Sequence, residues 1–338
     1  MATSKEIIER LCNEIDITLS PYISEKYQKA ALVDFPNHSN AGDSAIALGE
    51  LEWFKKNNHL ELSYISDIKR YNINCLKDIV GDGIIFIHGG GNLGDIWPVH
   101  QQFREKIIID FPENKIIQLQ QSIYYQHGAT LEKSREIFNN HKYLTLLVRD
   151  KQSYKFAKDN FNIDIFLCPD MAFYIGPLKR KTESETDIAA LMRTDKETVN
   201  ASCFILPDDA LVFDWVEEPK TFDLRVNMLL RKMFLNYPTR LAYLNHKRIQ
   251  SFTNLARLRF ERGCRFLEKG KIVCTDRLHG HIMSLLLSIP HFLSDNVYGK
   301  LNNFYSCWTS DCDITYLCAP TGRQIDIYNE AVRLGWLD

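Results

Sequence analysis

The stretch that decides the fold is Lys271-Ile-Val-Cys-Thr-Asp-Arg-Leu-His-Gly-His281, which runs directly into the apolar segment 282–289. Its first four residues are typical of a short buried strand, and the residues from Leu278 onward favour a packed helix. Between them, Thr275 and Asp276 are helix-capping residue types. In an open α/β sheet, ligands bind where the carboxyl end of a strand leads into a helix. The stretch therefore predicts a fold class and a candidate site together.

Three side chains in this stretch carry chemistry: Arg277, His279 and His281. An arginine fork suits a carboxylate or phosphate, a histidine exchanges a proton near neutral pH, and the N–H groups of a helix start attract anions. A purely structural interpretation pairs Arg277 with Asp276 or another acid and lets the histidines complete the helix start. Because anion donors and a proton carrier share one helix start, we favour a binding site.

The composition is that of an ordinary globular protein. Its 338 residues predict two domains of about 150 residues each. Hydrophobic residues make up 45% of the chain, charged residues 25%, and the formal net charge is -2. With a pI near 6.6, the chain has no general attraction for nucleic acid or anionic lipid. Any preference for anions must therefore be local, and no nucleic-acid partner is expected.

The cysteines and the first residues indicate a reducing compartment. Nine cysteines form an odd count without close pairs, and the spacing of Cys307, Cys312 and Cys318 is not the Cys-x-x-Cys pattern of zinc sites. The sequence starts without the basic and apolar regions of a signal peptide, and no apolar run approaches the ~20 residues of a membrane span. We therefore expect a cytoplasmic protein.

Strand and helix patterns alternate through the first half of the chain. This alternation is typical of right-handed crossovers and a parallel, doubly wound sheet. Predicted helices cover residues 4–19, 44–57, 97–109, 131–139 and 151–160, and predicted strands cover residues 30–35, 60–65, 83–88, 115–120, 143–148 and 163–167. Polar residues follow the strands and predict a functional edge of the sheet: Asp43, Asn92, Asp95, Gln121, Arg149 and Asp170.

A run of three glycines follows the third predicted strand, in Gly89-Gly-Gly-Asn-Leu-Gly-Asp95. Residues without a Cβ allow a close approach of the backbone to a partner, or positive φ angles. The run matches neither the dinucleotide fingerprint nor a P-loop. It is equally compatible with a tight structural turn and with a binding loop.

The second half begins after a charged, apolar-poor stretch at residues 179–187, where we place the domain linker. A strand over residues 187–192 ends at Arg193, so Arg193 and Arg277 occupy equivalent strand ends and are expected to bind one small polyanion. The alternative is surface pairing of Arg193 with Asp195 or Glu197.

The rest of the second half is predicted to contain two long helices, over 222–234 and 245–269, and a strand over 290–295. A turn that offers Tyr298 and Lys300 follows, and a last helix over 322–336 is expected to pack across the domains.

These features together resemble the polysaccharide pyruvyl transferase family. The matching motifs, in the family's order from the first strand to Lys300, are Asn40-Ala-Gly-Asp43, His88-Gly-Gly-Gly-Asn-Leu-Gly-Asp95, Arg149-Asp150 with Ser153, Cys168-Pro-Asp170, Leu191-Met-Arg193 with Asp195 and Glu197, Asp214-Trp215, Thr275-Asp-Arg-Leu-His-Gly-His281, and Asp295 with Tyr298-Gly-Lys300. Each motif is weak alone, but their ordered set is specific.

The resemblance implies a fold and an activity. It implies two Rossmann-like, doubly wound domains that face each other across a cleft, as in GT-B glycosyltransferases; we place them at residues 1–178, on the acceptor side, and 187–320, with a helical segment at 321–338. It also implies transfer of the enolpyruvyl unit of phosphoenolpyruvate to two hydroxyls of a sugar, which gives a pyruvate ketal and phosphate. Family acceptors are often lipid-linked, which would bring the protein transiently to a membrane surface.

The resemblance also assigns residues. Arg193, Arg277, Leu278 and His279 correspond to family residues that contact phosphoenolpyruvate. His279 is the expected general acid or else neutralises the leaving phosphate, and Asp43 is a candidate base. The remaining candidates for substrate binding are His281, Lys300, Tyr298, Asn40, Asn92, Asp95 and Asp170. No cofactor or metal is expected, because arginines and a histidine can neutralise the donor's charge.

Two other functions are compatible with this pattern. A GT-B-type glycosyltransferase would place a nucleotide-sugar diphosphate on the same helix start, but no clamp for ribose and base is recognisable in the sequence. A non-catalytic sugar-binding protein of the same fold would not need His279.

Overall fold

The computed structural model describes residues 1–23, 26, 28–194, 203–216, 222–234, 239, 241–295, 299–318 and 324–338. The strands of its first half are β1 (Gln28–Val33), β2 (Leu60–Ile65), β3 (Ile84–Ile87), β4 (Gly90–Gly94), β5 (Ile116–Tyr124), β6 (Leu144–Val148) and β7 (Asp164–Leu167). The helices of this half are α1 (Ser4–Leu19), α2 (Ala41–Lys56), α3 (Ile73–Val80), α4 (Pro98–Asp110), α5 (Gly128–Asn139) and α6 (Lys151–Asn160).

The first sheet is parallel and doubly wound. Its strand order is β2-β1-β3-β5-β6-β7, and β4 pairs with β5 beyond the end of β3. The chain adds β2 on one side of β1 and all later strands on the other. The direction of winding therefore changes between β1 and β3, and the crevice at their carboxyl ends is the position where such sheets bind ligands. Asp34 and His88 directly follow these two strands.

The second half repeats this arrangement. Its strands are β8 (Thr186–Leu191), β9 (Phe204–Ile205), β10 (Leu211–Phe213), β11 (Gly270–Thr275), β12 (His291–Leu293), β13 (Thr315–Leu317) and β14 (Ile325–Asp326), and its helices are α7 (Phe222–Phe234), α8 (Ala242–Glu268), α9 (Leu278–Leu286), α10 (Lys300–Trp308) and α11 (Ile327–Arg333).

The second sheet has the order β10-β8-β11-β12-β13, and its pairs are parallel. Here the winding direction changes between β8 and β11. Their carboxyl ends lead to Arg193 and to Arg277, so the two predicted arginines lie beside the same crevice. The expectation of two Rossmann-like α/β units is confirmed.

One apolar core joins the two halves. Helix α2 packs against α8, α9 and the 3₁₀ turn Met171–Ile175, and the buried cluster includes side chains of both halves such as Ile46 and Met283. Separate clusters fill the far sides of the two sheets. Because α2 and α9 are packed together, their N-termini are held near each other.

The terminal helices differ from expectation. We predicted that the C-terminal helix spans the domains, but Ile327 and Ala331 of α11 belong to the apolar cluster of the second sheet. It is α1 that contacts both halves, through Arg10 with Asp311 and Asp16 with Tyr174. Residues 319–323, which include the first two residues of the predicted helix, lie outside the described ranges. The predicted domain boundaries remain predictions.

Candidate active site

A cleft of about 420 Å³ lies between the carboxyl ends of the two sheets. Both halves contribute to its lining, which includes both winding-reversal points. The residues that line it are Asp34, Pro36, His38, Ser39, Asn40, Asp43, His88, Gly91, Asn92, Trp97, His100, Arg149, Arg193, Trp215, Val216, Arg277, Leu278, His279 and Lys300.

Helix α9 starts at the cleft with its N–H groups uncapped by a side chain. Its N-cap is Arg277, which makes no side-chain capping hydrogen bond within the described structure. The predicted caps act elsewhere: the Thr275 hydroxyl accepts from the Arg277 N–H at 3.0 Å and donates to the Leu191 carbonyl, and Asp276 accepts from the Arg193 N–H at 2.9 Å. The start of α9 is therefore available to an anion.

Arg277 and Arg193 both line this cleft, as predicted for a shared polyanion. The Arg277 guanidinium is held by Asp214 at 2.6 Å, and both side chains are almost fully buried. Burial raises the pKa of Asp276 to about 6, although the hydrogen bond from Arg193 opposes this shift. Asp214, rather than Asp276, is therefore the acid that orients the Arg277 fork.

Arg149 is a third arginine of the cleft; the sequence placed it at the predicted functional edge of the first sheet but assigned it no role in binding or catalysis. Its Nη1 lies 2.7 Å from Asp170 Oδ2, and its Nε donates to Ser122. A Cβ on Gly91 would lie 2.7 Å from Arg149 Nη2, so the third glycine of the run makes room for this guanidinium. The glycine run was the available sequence signal, and the space it leaves is filled by a positive charge.

Lys300 completes a basic wall, by which we mean Arg149, Arg193, Arg277 and Lys300. It is the first residue of α10, and its ammonium donates to the Gly91 carbonyl at 3.3 Å. The four cations come from four separate elements of both halves. They make one wall suited to a ligand with more than one negative charge.

His279 lies between the two helix starts. A Cβ on Gly42, in the first turn of α2, would come within 2.7 Å of the His279 Cβ, Cγ and Nδ1. On its other side, His279 Nε2 is 3.5 Å from Asp170 Oδ2. Burial acts to raise the pKa of Asp170, but His279 and Arg149 outweigh burial and hold the pKa well below its usual range. Asp170 is therefore an anion shared by His279 and Arg149.

The start of α2 presents a carboxylate to the cleft. The Asn40 side chain caps the helix by accepting from the Gly42 N–H, and its amide donates to Asp43 Oδ2 at 2.8 Å. Burial acts to raise the pKa of Asp43, but His38, 3.6 Å away, and His279 outweigh burial and lower the pKa. Asp43 is therefore held as an anion and can accept a proton or a hydroxyl hydrogen bond.

Two further histidines line the cleft, and neither was predicted. His100 Nδ1 is held by both carboxylate oxygens of Asp34, at 2.9 and 3.0 Å, and Asp34 has the unusual φ of 62°. His88 Nδ1 is held by the buried Glu50 at 2.8 Å. Sequence reasoning missed them because each partner lies 38 or more positions away. The available signal for His88 was its position at the end of the third predicted strand, directly before the glycine run; His100, inside α4, had no such signal.

Two buried ring nitrogens of the cleft have no hydrogen-bond partner within the described residues. They are His88 Nε2 and Trp215 Nε1, and both rings line the cleft. Buried polar groups in folded proteins are nearly always paired, so unpaired donors in a cleft are groups that a ligand can satisfy. The described residues include no group of three or more His, Cys, Asp or Glu side chains arranged to hold a metal ion.

The remaining predicted residues differ in whether they reach the cleft. Asn92 lines the cleft, where Arg104 holds its side-chain oxygen at 2.7 Å. Asp170 lies beneath the lining, and Asp95 accepts from the backbone N–H groups of Gln126 and His127 instead of facing the cleft. Tyr298 lies outside the described residues.

His281 is a correction to the predicted set. It is fully buried away from the cleft, where it hydrogen-bonds His291 and Thr309. It follows His279 by two residues in a helix, so it cannot share the direction of His279. His279 therefore lines the cleft, whereas His281 on the same helix does not.

Comparisons with known proteins place the chain in a family. The family model described as polysaccharide pyruvyl transferase matches residues 40–296. Pyruvyl transferase 1 of Schizosaccharomyces pombe is 32% identical over 85% of this chain and 71% of its own length, and EpsO of Bacillus subtilis is 32% identical over 88% and 91%. A functionally uncharacterised Klebsiella pneumoniae protein, 21% identical, matches the fold with a TM-score of 0.58 over 91% of this chain and 98% of its own. The chain thus belongs to the polysaccharide pyruvyl transferase family and is a polysaccharide pyruvyltransferase.

Proposed function

We propose that this enzyme transfers the pyruvate unit of phosphoenolpyruvate to two hydroxyls of a sugar in a polysaccharide or glycan precursor, with formation of a pyruvate ketal and release of phosphate. The observation that carries the proposal is the basic wall beside the uncapped start of α9. Phosphoenolpyruvate presents a carboxylate and a phosphate on one small carbon frame. Two or more guanidinium forks and a helix N-terminus match that charge pattern.

The chemistry needs proton movements that the cleft can supply. A proton added to the methylene carbon creates a cationic centre at the neighbouring carbon, which one sugar hydroxyl attacks. Phosphate then leaves, and the second hydroxyl closes the ketal. Two hydroxyl protons are lost in total, one replacing the proton given to carbon and one leaving with phosphate. His279 serves as the acid or as the partner of the leaving phosphate, and Asp43 accepts a hydroxyl proton.

The acceptor sugar is expected on the first-half side of the cleft. Asn40, Asp43 and Asn92 offer amide and carboxylate groups that suit hydroxyls, and Trp97, 38% exposed, offers an apolar ring beside them. Donor and acceptor would then meet near His279. No cofactor beyond the donor is part of the proposal, because the basic wall already balances the donor charge; activity should persist after chelation of metals.

The test is titration of the protein with phosphoenolpyruvate and, separately, with nucleotide-sugars, followed by calorimetry and thermal unfolding. Arg277→Lys keeps the charge but loses the fork, so phosphoenolpyruvate binding should weaken by about 10- to 100-fold, the value of one or two charge-assisted hydrogen bonds. Arg333→Lys, at an exposed position on α11, is the matched control and should bind normally.

Each outcome has a clear meaning. Stabilisation by phosphoenolpyruvate, weakened in Arg277→Lys, followed by phosphate release in the presence of a glycan acceptor, supports the proposal. Stabilisation by a nucleotide-sugar, with no response to phosphoenolpyruvate, would replace it with a glycosyltransferase activity in the same cleft.

A further inference from the structure

The buried pair of His88 and Glu50 is the strongest feature of the cleft that the mechanism above leaves without a role. Glu50 is fully buried in α2; one carboxylate oxygen holds His88 Nδ1 at 2.8 Å and the other accepts from the Gly89 N–H at 2.9 Å. The His88 backbone is also fixed, since its carbonyl accepts from Gln118 and Gln121. The ring therefore has one orientation.

Only one nitrogen of this ring is left for a ligand. His88 Nε2 is buried, lacks a hydrogen-bond partner in the described part of the chain, and belongs to a ring that lines the cleft. Burial acts to lower the pKa of His88, but attraction to Glu50 outweighs burial and raises the pKa. The raised pKa favours a proton on Nε2, the nitrogen of this ring that has no described partner. The charged groups that act on His88, Asp43 or His38 are Glu50, Asp34, Asp43, His38, His88, His100, His279 and Arg259.

The geometry of phosphoenolpyruvate indicates which of its groups the His88 Nε2–H would contact. In phosphoenolpyruvate the carboxylate, the phosphate oxygen and the methylene group leave one planar carbon in three directions. When the two anionic groups engage the basic wall, the methylene group points away from it. His88 follows β3 of the first sheet, whereas Arg193 and Arg277 follow β8 and β11 of the second sheet. His279 instead contacts Asp170, the partner of Arg149.

We propose that His88 donates the proton that converts the methylene carbon of phosphoenolpyruvate into a methyl group, and that His279 instead serves the leaving phosphate. This inference rests on the proposed function. The His88 Nε2–H bond breaks as the new C–H bond forms, and the positive charge passes to the neighbouring carbon. Neutral His88 then regains a proton from one acceptor hydroxyl, while the proton of the other hydroxyl leaves with phosphate.

Glu50 is a positioning residue in this scheme. It touches no substrate, but it fixes the ring through Nδ1, and its charge favours the protonated form of the ring. Activity that needs protonated His88 declines as pH rises through its pKa. Glu50→Gln still accepts from the Gly89 N–H but removes the negative charge, so this alkaline limb of the pH profile should move to lower pH.

The first experiment compares His88→Gln with His246→Gln, which changes an exposed histidine of α8 outside the cleft. Phosphoenolpyruvate affinity, phosphate release and deuterium entry into the product methyl group are measured in each. His88→Gln should bind the donor normally and lose about 10²- to 10⁴-fold in turnover and in deuterium entry, the usual contribution of a general acid. His246→Gln should match the parent in every measurement.

Two results would overturn the inference. One is parental turnover and deuterium entry in His88→Gln; the other is an unchanged alkaline limb in Glu50→Gln, which decides the matter even when His88→Gln folds poorly. His279→Gln should still form carbon-deuterium bonds, and loss of deuterium entry in His279→Gln alone would return the acid role to His279. A parent enzyme that releases no phosphate from phosphoenolpyruvate would refute the proposed function itself, a distinct outcome.

Discussion

The absence of a side chain at Gly42 determines how closely α2 approaches His279 in the cleft. Gly42 lies in the first turn of α2 directly against the His279 ring, at a distance that any larger residue would occupy. Its φ is not in the left-handed region, so glycine is needed there for space and not for backbone conformation. The close contact of two helix starts depends on this residue.

Gly42→Ala is therefore expected to displace His279 without unfolding the protein, because alanine is a better helix former than glycine. A displacement of about 1 Å at a reacting group can cost about 10²-fold in turnover. Steady-state kinetics in the parent and in a His279→Ala background would measure the effect. Gly42→Ala should add little in the second background, and equal losses in both would show that it acts elsewhere.

Among individual residues, the sequence identified the site side chains that share one continuous motif better than the site side chains that are held by partners distant in sequence. Arg277, Leu278 and His279 were predicted together, and the structure places them together in the cleft. His88 and His100 gain their roles from Glu50 and Asp34, which only the fold brings near. Local spacing contains no information about such pairs.

Among the elements, α2 positions more of the site than any pattern in its sequence indicated. It presents Asn40 and Asp43 at its start and Glu50 in its third turn, while its opposite side packs against the turn Met171–Ile175. At that crossing a Cβ on Gly49 would lie 1.8 Å from the Met171 carbonyl oxygen. The helix can approach this turn only because residue 49 has no side chain.

Gly49→Ala should destabilise the protein by at least about 1–3 kcal/mol, the usual cost of overpacking, although alanine favours a helix. Urea unfolding measures this change. Gly128→Ala, at the start of α5, is the matched control, since nothing lies within 4 Å of its Cβ position. It should leave stability unchanged or raise it by up to about 1 kcal/mol. Equal stability in both variants would contradict the packing argument.

The longer elements followed from periodicity and the shorter ones did not. Helices α1, α6 and α7 have the predicted bounds. Helix α3 has eight residues, and β9 and β14 have two each, so they are too short to show a period and form through neighbouring strands and packing. Gly90 and Gly91 of the glycine run belong to β4. The sequence had been interpreted as a tight turn or a binding loop, and neither interpretation included a strand.

For the whole molecule, the two halves are tied together at both ends of the cleft. On one side α2 packs on α8; on the other, the Trp308 indole of α10 donates to the Arg149 carbonyl at 2.8 Å. Arg149 is thereby fixed by both halves. No helix in the described ranges is both long enough and apolar enough to span a bilayer.

The buried histidine pair should make stability depend on pH. His281 Nδ1 lies 2.7 Å from His291 Nε2. Burial lowers the pKa of His281 well below its usual value and lowers the pKa of His291 to about 4. Unfolded histidines take up protons near pH ~6.5, whereas the folded pair stays neutral. The stabilisation is therefore complete above that pH and is lost as pH falls from about 6.5 toward 4.

The free energy of unfolding, measured by urea titration across this range, should fall with decreasing pH by on the order of 3 kcal/mol from His291 alone. His291→Gln should show a shallower slope, and His246→Gln should keep the parental slope. A parental slope in His291→Gln would assign the acid sensitivity to other groups.

Helix α1 has a consequence for how the chain is made. The Ala2 N–H donates to the Asp311 carbonyl and the Ala2 carbonyl accepts from the Asp313 N–H, while Arg10 binds Asp311 and the Trp308 carbonyl. Synthesis proceeds from the N-terminal to the C-terminal side, so Ala2 and Arg10 must wait for partners that appear about 300 residues later. At about 5–20 residues per second, that wait lasts on the order of 15 to 60 seconds. The first helix of the sequence is thus among the last to reach its native contacts, and until then its apolar face is open to chaperones.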